Sequence, residues 1–159
     1  MTSQRSRLVA PALRWLLGTR AGFGMTAARL LLAVVMFPHG AQKALGWFGG
    51  YGWSGTMGFL TGQVGLPAAL AALVIGIEFL APLFLVAGLA TRAAALGIAA
   101  VMVGAVVTVH LPFGFFMNWS GAQGGEGFEY HLLALGLAVA LLLEGAGRAS
   151  LDRLLARSA

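Results

Sequence analysis

His39 and Lys43 stand four residues apart, a spacing that puts both on one face of a helix. Pro38 directly before them removes a backbone hydrogen bond, which predicts a kink. Glu78 lies at the middle of a second apolar run, 67–89. His110 closes a third run, and Glu129 and His131 open a fourth. Imidazoles and carboxylates exchange protons near neutral pH, and an ammonium beside them can neutralise a carboxylate. Such groups are expensive inside a membrane-type segment and are functional candidates by default. Glu78 and His39 are accordingly the candidate catalytic residues. Lys43, His110, Glu129 and His131, with the aromatic faces of Trp47 and Trp119, are the candidate ligand-binding residues. Histidines and carboxylates also ligate metals, but no H-x-x-x-H or E-x-x-H spacing is present and no residue is assigned to a metal.

The elements that position these groups follow from composition. The 159 residues are 59% hydrophobic and 9% charged, with a mean hydropathy of +0.88. A soluble domain carries about 25% charged residues. This chain cannot cover a water-facing surface, which argues against a soluble enzyme and against a disordered protein. Four runs approach or reach the roughly 20 apolar residues that cross a bilayer: 26–45, 67–89, 93–111 and 129–143. They leave no amphipathic shell that could enclose them as soluble helices. The first run is long, follows a leader of about 22 residues and meets no A-x-A site, so it reads as an uncleaved span.

Charge placement orients the bundle. Arg5, Arg7, Arg14, Arg20, Arg92, Arg148, Arg153 and Arg157 fall at one end, and segments 46–66 and 112–128 at the other contain no Lys or Arg. The positive-inside rule then places both termini in the cytoplasm. The net charge of +5 therefore speaks for topology rather than for nucleic acid. Arg29 and Glu144 lie near the inner face and are placed to pair. Eleven of the sixteen aromatic residues lie in or beside the two outer segments, and segment 46–66 holds eight glycines. An aromatic lid over the outer end is expected in addition to an interfacial belt. Small-residue rows at Ala72/Gly76, Ala100/Gly104/Thr108 and Gly136/Ala140 predict close helix contacts. Stretches 8–18 and 150–158 mix Leu with Arg as interfacial helices do, and Ser150 is placed to cap the second.

The polar groups admit several roles. Glu78 can neutralise Lys43 or Arg29 while the histidines bond to backbone carbonyls, a purely structural arrangement. Alternatively His39, Lys43, His110, Glu129 and His131 gather above Glu78 as a pocket for an amphipathic molecule such as a quinone. Glu78 or a histidine would then exchange the protons that accompany its reduction. A metal or haem site is a third reading. Transport is a fourth, poorly suited by four short helices without an inverted repeat. The chain has no cysteine, which excludes disulfides, thiol nucleophiles and Cys-ligated clusters.

Arg29 at the start of the first span is followed by the run His39-Gly40-Ala41-Gln42-Lys43 and by the intramembrane Glu78. Gly88-Leu89-Ala90-Thr91-Arg92 then forms the inner turn, and Gly147-Arg148-Ala149-Ser150-Leu151-Asp152 closes the chain. In order and spacing this set resembles the DoxX family of small four-helix bacterial membrane proteins, over residues 26–155. Ala149 stands where that family usually has an aromatic residue, and Gly145-Ala146 where proline is frequent. The resemblance implies the bacterial inner membrane and association with redox systems, quinone-linked sulfur or thiol oxidation or oxidative-stress complexes.

The expected fold is all-α, a polytopic four-transmembrane-helix bundle, N-in and C-in, with aromatic- and glycine-rich outer loops. Segment 1–25 would be a cytoplasmic interfacial segment, 26–145 the membrane domain and 146–159 a cytoplasmic interfacial helix. The expected function is a membrane subunit of a redox system with an amphipathic-ligand pocket in its outer half. The alternative is a non-catalytic scaffold or assembly subunit, or a small-molecule transporter. Expected partners are the lipid bilayer, partner redox subunits and further copies of the chain, and no nucleic acid. A quinone is the expected cofactor, ahead of haem or metal.

Overall fold

The computed structural model describes residues 15–19 and 22–158. Most of the expected N-terminal segment, including Arg5, Arg7, Arg14 and Arg20, lies outside the described residues. Every regular element among the described residues is helical. Helix α1 (Phe23–Leu45) is followed by a 3-10 turn (Trp47–Gly49), a short helix α2 (Gly52–Gly62), α3 (Ala68–Ala87) and α4 (Thr91–Ala105). A π turn (Val106–His110) and a 3-10 turn (Leu111–Phe113) extend α4, and α5 (Glu129–Glu144) and α6 (Leu151–Ser158) complete the chain.

Three of these, α1, α3 and the continuous Thr91–Phe113 segment, are long and apolar enough to cross a membrane. The protein is a multi-pass membrane protein. Helix α5 has 16 residues. That is about 24 Å of helix against a hydrocarbon core of ~30 Å. Of the four spans expected, three thus reach full length, and α5 is a shorter helix in the same bundle. One core joins them, with Leu32 and Met36 of α1, Leu85 of α3, Ile98 of α4 and Leu141 of α5 fully buried. Helices α1 and α3 each remain one helix through Pro38 and Pro82.

Segment 46–66, expected as an aromatic- and glycine-rich outer loop, contains α2. Beside a bilayer a backbone satisfies its own polar groups best by coiling, which overrides the poor helix propensity of glycine. Leu60 of α2 then packs on Ala71 and Ile75 of α3.

The small-residue rows do not make the close contacts expected of them. A Cβ added to Gly76, Gly104 or Gly136 would meet nothing within 4 Å. The close approach lies at Gly40, where a Cβ would run into the carbonyl of Glu78 and come within 2.6 Å of the Phe79 Cα. Only glycine lets the backbones of α1 and α3 meet here. This crossing fixes the height of Glu78 against α1.

At the end of the bundle where residues 15–19 and 145–158 gather, two arginines cap two helices. Arg29 of α1, 2% exposed, donates to the carbonyls of Leu85, Val86 (2.9 Å) and Ala149 (2.6 Å). Arg92 of α4 donates to the carbonyls of Leu142 (2.7 Å) and Leu143 (3.0 Å), and also to those of Trp15 and Gly18. Leu85/Val86 and Leu142/Leu143 lie in the last turns of α3 and α5. Carbonyls there have no partner within the helix, and a cation suits the negative end of the helix dipole. Arg92, expected as one of the eight orienting charges at this end, is 7% exposed because α5 and residues 15–18 supply its partners. Backbone carbonyls hold Arg29, where a pairing with Glu144 was the expectation.

Asp152 completes this end. Buried to 1% exposure, it accepts the backbone N–H groups of Ala90 (2.7 Å) and Thr91 (2.9 Å) at the start of α4. It also supplies negative charge to both Arg29 and Arg92. Ser150 caps α6 as expected, its Oγ accepting the Arg153 N–H at 3.3 Å. Gly88 closes α3 in the left-handed region, at φ 64°, and a Cβ there would lie 2.7 Å from Arg29 Nη1.

Candidate functional site

At the opposite end Lys43 of α1 and Glu78 of α3 form an ion pair. Gly40, one turn before Lys43, is what brings the two helices near enough. The Glu78 side chain is 5% exposed and that of Lys43 33% exposed. Both line a cavity of about 360 Å³ between α2, α3 and α4. Its walls are apolar, with Phe59, Leu60, Leu70, Leu73, Ile77 and Val101 among them. Ala100, Gly104 and Thr108 form its α4 side, so this row opens a cavity where it was expected to seal a contact.

The π turn at Val106–His110 carries His110 to the same cavity. A π turn re-aims the residues that follow it and is frequent at functional sites. His110 Nδ1 lies 2.9 Å from the Glu126 carbonyl. Its ring centroid is 4.1 Å from that of His131 on α5. His131 is 6% exposed, and its Nδ1 has no hydrogen-bond partner among the described residues. Tyr130 follows, with ring centroids 5.5 Å from His131 and 5.7 Å from His39. Its hydroxyl donates to Met36 Sδ at 3.3 Å. A row of rings, His39–Tyr130–His131–His110, thus runs from α1 past the start of α5 to the end of α4.

The remaining candidates sit elsewhere. His39 is exposed on the outside of α1 and does not line the cavity. Glu129 turns toward the segment before α5, where Oε1 accepts the Met117 N–H (3.0 Å) and the Trp119 indole N–H (3.2 Å). Glu129 and Trp119 border a separate cavity of about 460 Å³ with Phe115 and Tyr130. Trp47, 54% exposed, lies edge-on to Phe48. The structure therefore brings Lys43, Glu78 and His110 together and places His131 beside His110. It sets His39, Glu129, Trp47 and Trp119 outside that cavity. Tyr130 was not singled out from the sequence; its position between Glu129 and His131 at the head of one helix was the available signal. No group of three or more metal-ligating side chains among the described residues is arranged to hold a metal ion.

The family model described as DoxX matches residues 24–111. That range holds Arg29, Gly40, Lys43, Glu78, Arg92 and His110, and ends before His131 and Asp152. The chain is also similar to the Bacillus subtilis (strain 168) protein named "Putative oxidoreductase CatD", at 30% identity over 118 residues. The match covers 74% of this chain and 78% of that protein. No solved structure matches the chain with significance.

Proposed function

The chain belongs to the DoxX family, and on that premise we propose that it is a membrane subunit of a redox system that holds a quinone-like ligand between α2, α3 and α4. The observation that carries this reading is the cavity of about 360 Å³, whose apolar walls meet one carboxylate, one ammonium and one imidazole. Sites for small apolar molecules have this make-up, with a few polar groups fixing orientation. The relative's name, that of an oxidoreductase, supports the redox part. The arginine end faces the cytoplasm by the positive-inside rule, and α5 is the fourth span, so the cavity lies in the outer half of a bacterial inner membrane.

A quinone takes up two electrons and two protons when it is reduced to the quinol. The chain has no cysteine, so the electrons come from a partner subunit that oxidises a thiol or sulfur compound. The work of this chain is binding and proton handling. Phe59 and the leucines of α2 and α3 bury the ring, Lys43 donates a hydrogen bond to a ring oxygen, and Glu78 holds or releases a proton at Oε2. His110 lies between the cavity and the exposed Glu126 and brings protons from the outer surface to the ring oxygens. A second reading, a non-catalytic subunit, is favoured by the ion pair itself, in which Lys43 and Glu78 already satisfy each other.

Titration of the purified protein with a short-tailed quinone, read by tryptophan fluorescence, separates the two. The redox reading expects saturable binding that Glu78→Gln weakens about tenfold, the loss of one hydrogen bond to a charged group, with helicity unchanged. Binding by Glu78→Gln equal to that of the parent moves the site elsewhere. A parent that does not bind leaves the non-catalytic reading.

A further inference from the structure

A groove of about 540 Å³ at the arginine end is lined by Arg148, Arg153 and Arg157 together with Ala87, Leu151 and Leu154. Among the described residues no acidic side chain lines it. Asp152, within the same stretch of chain, points inward onto the N–H groups of Ala90 and Thr91, and none of the three guanidiniums forms an ion pair with a carboxylate among the described residues. Two of the three are held in place. Arg148 lies 5.0 Å over the Phe23 ring, and Arg153 Nη1 donates to the Arg148 carbonyl at 3.5 Å. Beside the charge the surface is apolar. Leu151 and Leu154 of α6, and Leu83 and Val86 of the adjoining turns of α3, are all exposed.

We propose that this groove is a binding site for an anionic phospholipid. Its phosphate lies among Arg148, Arg153 and Arg157, and its acyl chains run along α3 past Val86 and Leu83. Guanidinium forks match phosphate oxygens in paired hydrogen bonds. The apolar wall continuous with the arginines selects a lipid over a free phosphate, which has nothing to place there. The site lies at the other end of the bundle from the Lys43–Glu78 cavity and is independent of the function proposed for it.

The full chain in detergent is tested by native mass spectrometry and thermal melting with phosphatidylglycerol, phosphatidylcholine or glycerol phosphate added. Phosphatidylglycerol is expected to stay bound and to raise Tm, and the other two are not. R148Q/R153Q/R157Q is expected to lose phosphatidylglycerol, with affinity falling about fivefold per arginine removed. Its Tm without added lipid should match that of the parent, because Asp152 rather than these arginines anchors α6. Should the triple variant melt early, R157Q alone, at an exposed residue, reads the same fivefold loss. Equal retention of phosphatidylglycerol by parent and variants overturns the proposal, as does equal retention of phosphatidylcholine. A full shift from glycerol phosphate alone overturns the assignment to a lipid.

Discussion

Arg29 and Arg92 direct their guanidiniums onto backbone carbonyls that the fold itself creates, whereas Lys43 and Glu78 face each other at the wall of a cavity. Both ends of the bundle bury charge, but among the described residues it is Lys43 and Glu78, and not Arg29, Arg92 or Asp152, that line a cavity. A cation bonded to helix-end carbonyls cannot turn to a ligand without exposing those carbonyls, so its role is fixed. A side-chain pair beside open space can exchange one partner for a ligand while the backbone stays in place. Burial and charge alone do not distinguish the two cases. The identity of the partner atoms does.

The contrast can be broken most severely at Asp152. Asp152→Ala leaves two helix N–H groups and two buried arginines without their carboxylate. Thermal melts followed by circular dichroism should show a loss of about 3–5 kcal/mol, the range for breaking a buried charged network. Gly40→Val comes next. It forces α1 away from Glu78 at a cost of about 1–3 kcal/mol, and unlike Asp152→Ala it should also weaken quinone binding at the far end. A double-mutant cycle on Lys43→Met and Glu78→Gln is expected to give a coupling of only about 1 kcal/mol. A coupling as large as the Asp152 effect would mean that the pair is as structural as the arginine end. The smallest effect belongs to Ala90, which sits in the left-handed region at φ 47°. Ala90→Gly should raise stability by about 0.5 kcal/mol, measured as a small rise in Tm.

The helices themselves were legible because apolar runs are long and contiguous. Expected spans at 26–45, 67–89, 93–111 and 129–143 correspond to Phe23–Leu45, Ala68–Ala87, Thr91–Phe113 and Glu129–Glu144. The partners of Arg92 and Asp152 were not legible, since they are backbone atoms far away in the chain, and backbone atoms carry no residue identity. Helix α2 was hidden for a related reason, because local glycine propensity said loop and the membrane setting decided otherwise. The small-xxx-small rows misled in a specific way. That pattern permits close approach without requiring it, and at Gly104 the space it makes is left open as cavity. Of the chemically marked residues, Lys43, Glu78 and His110 were found by type and position. His39 shares a helical face with Lys43 by spacing, yet its ring lies toward Tyr130 of α5 and outside the cavity.

Gly104 also provides the most direct test of the cavity as a ligand site. An added Cβ there meets no atom within 4 Å and Gly104 lines the cavity, so Gly104→Phe is expected to take up cavity space while leaving the arginine end untouched. Quinone titration of Gly104→Phe beside the parent should show binding abolished while Tm is unchanged or slightly raised. Parent-like quinone affinity in a folded Gly104→Phe protein would contradict a ligand site between α2, α3 and α4.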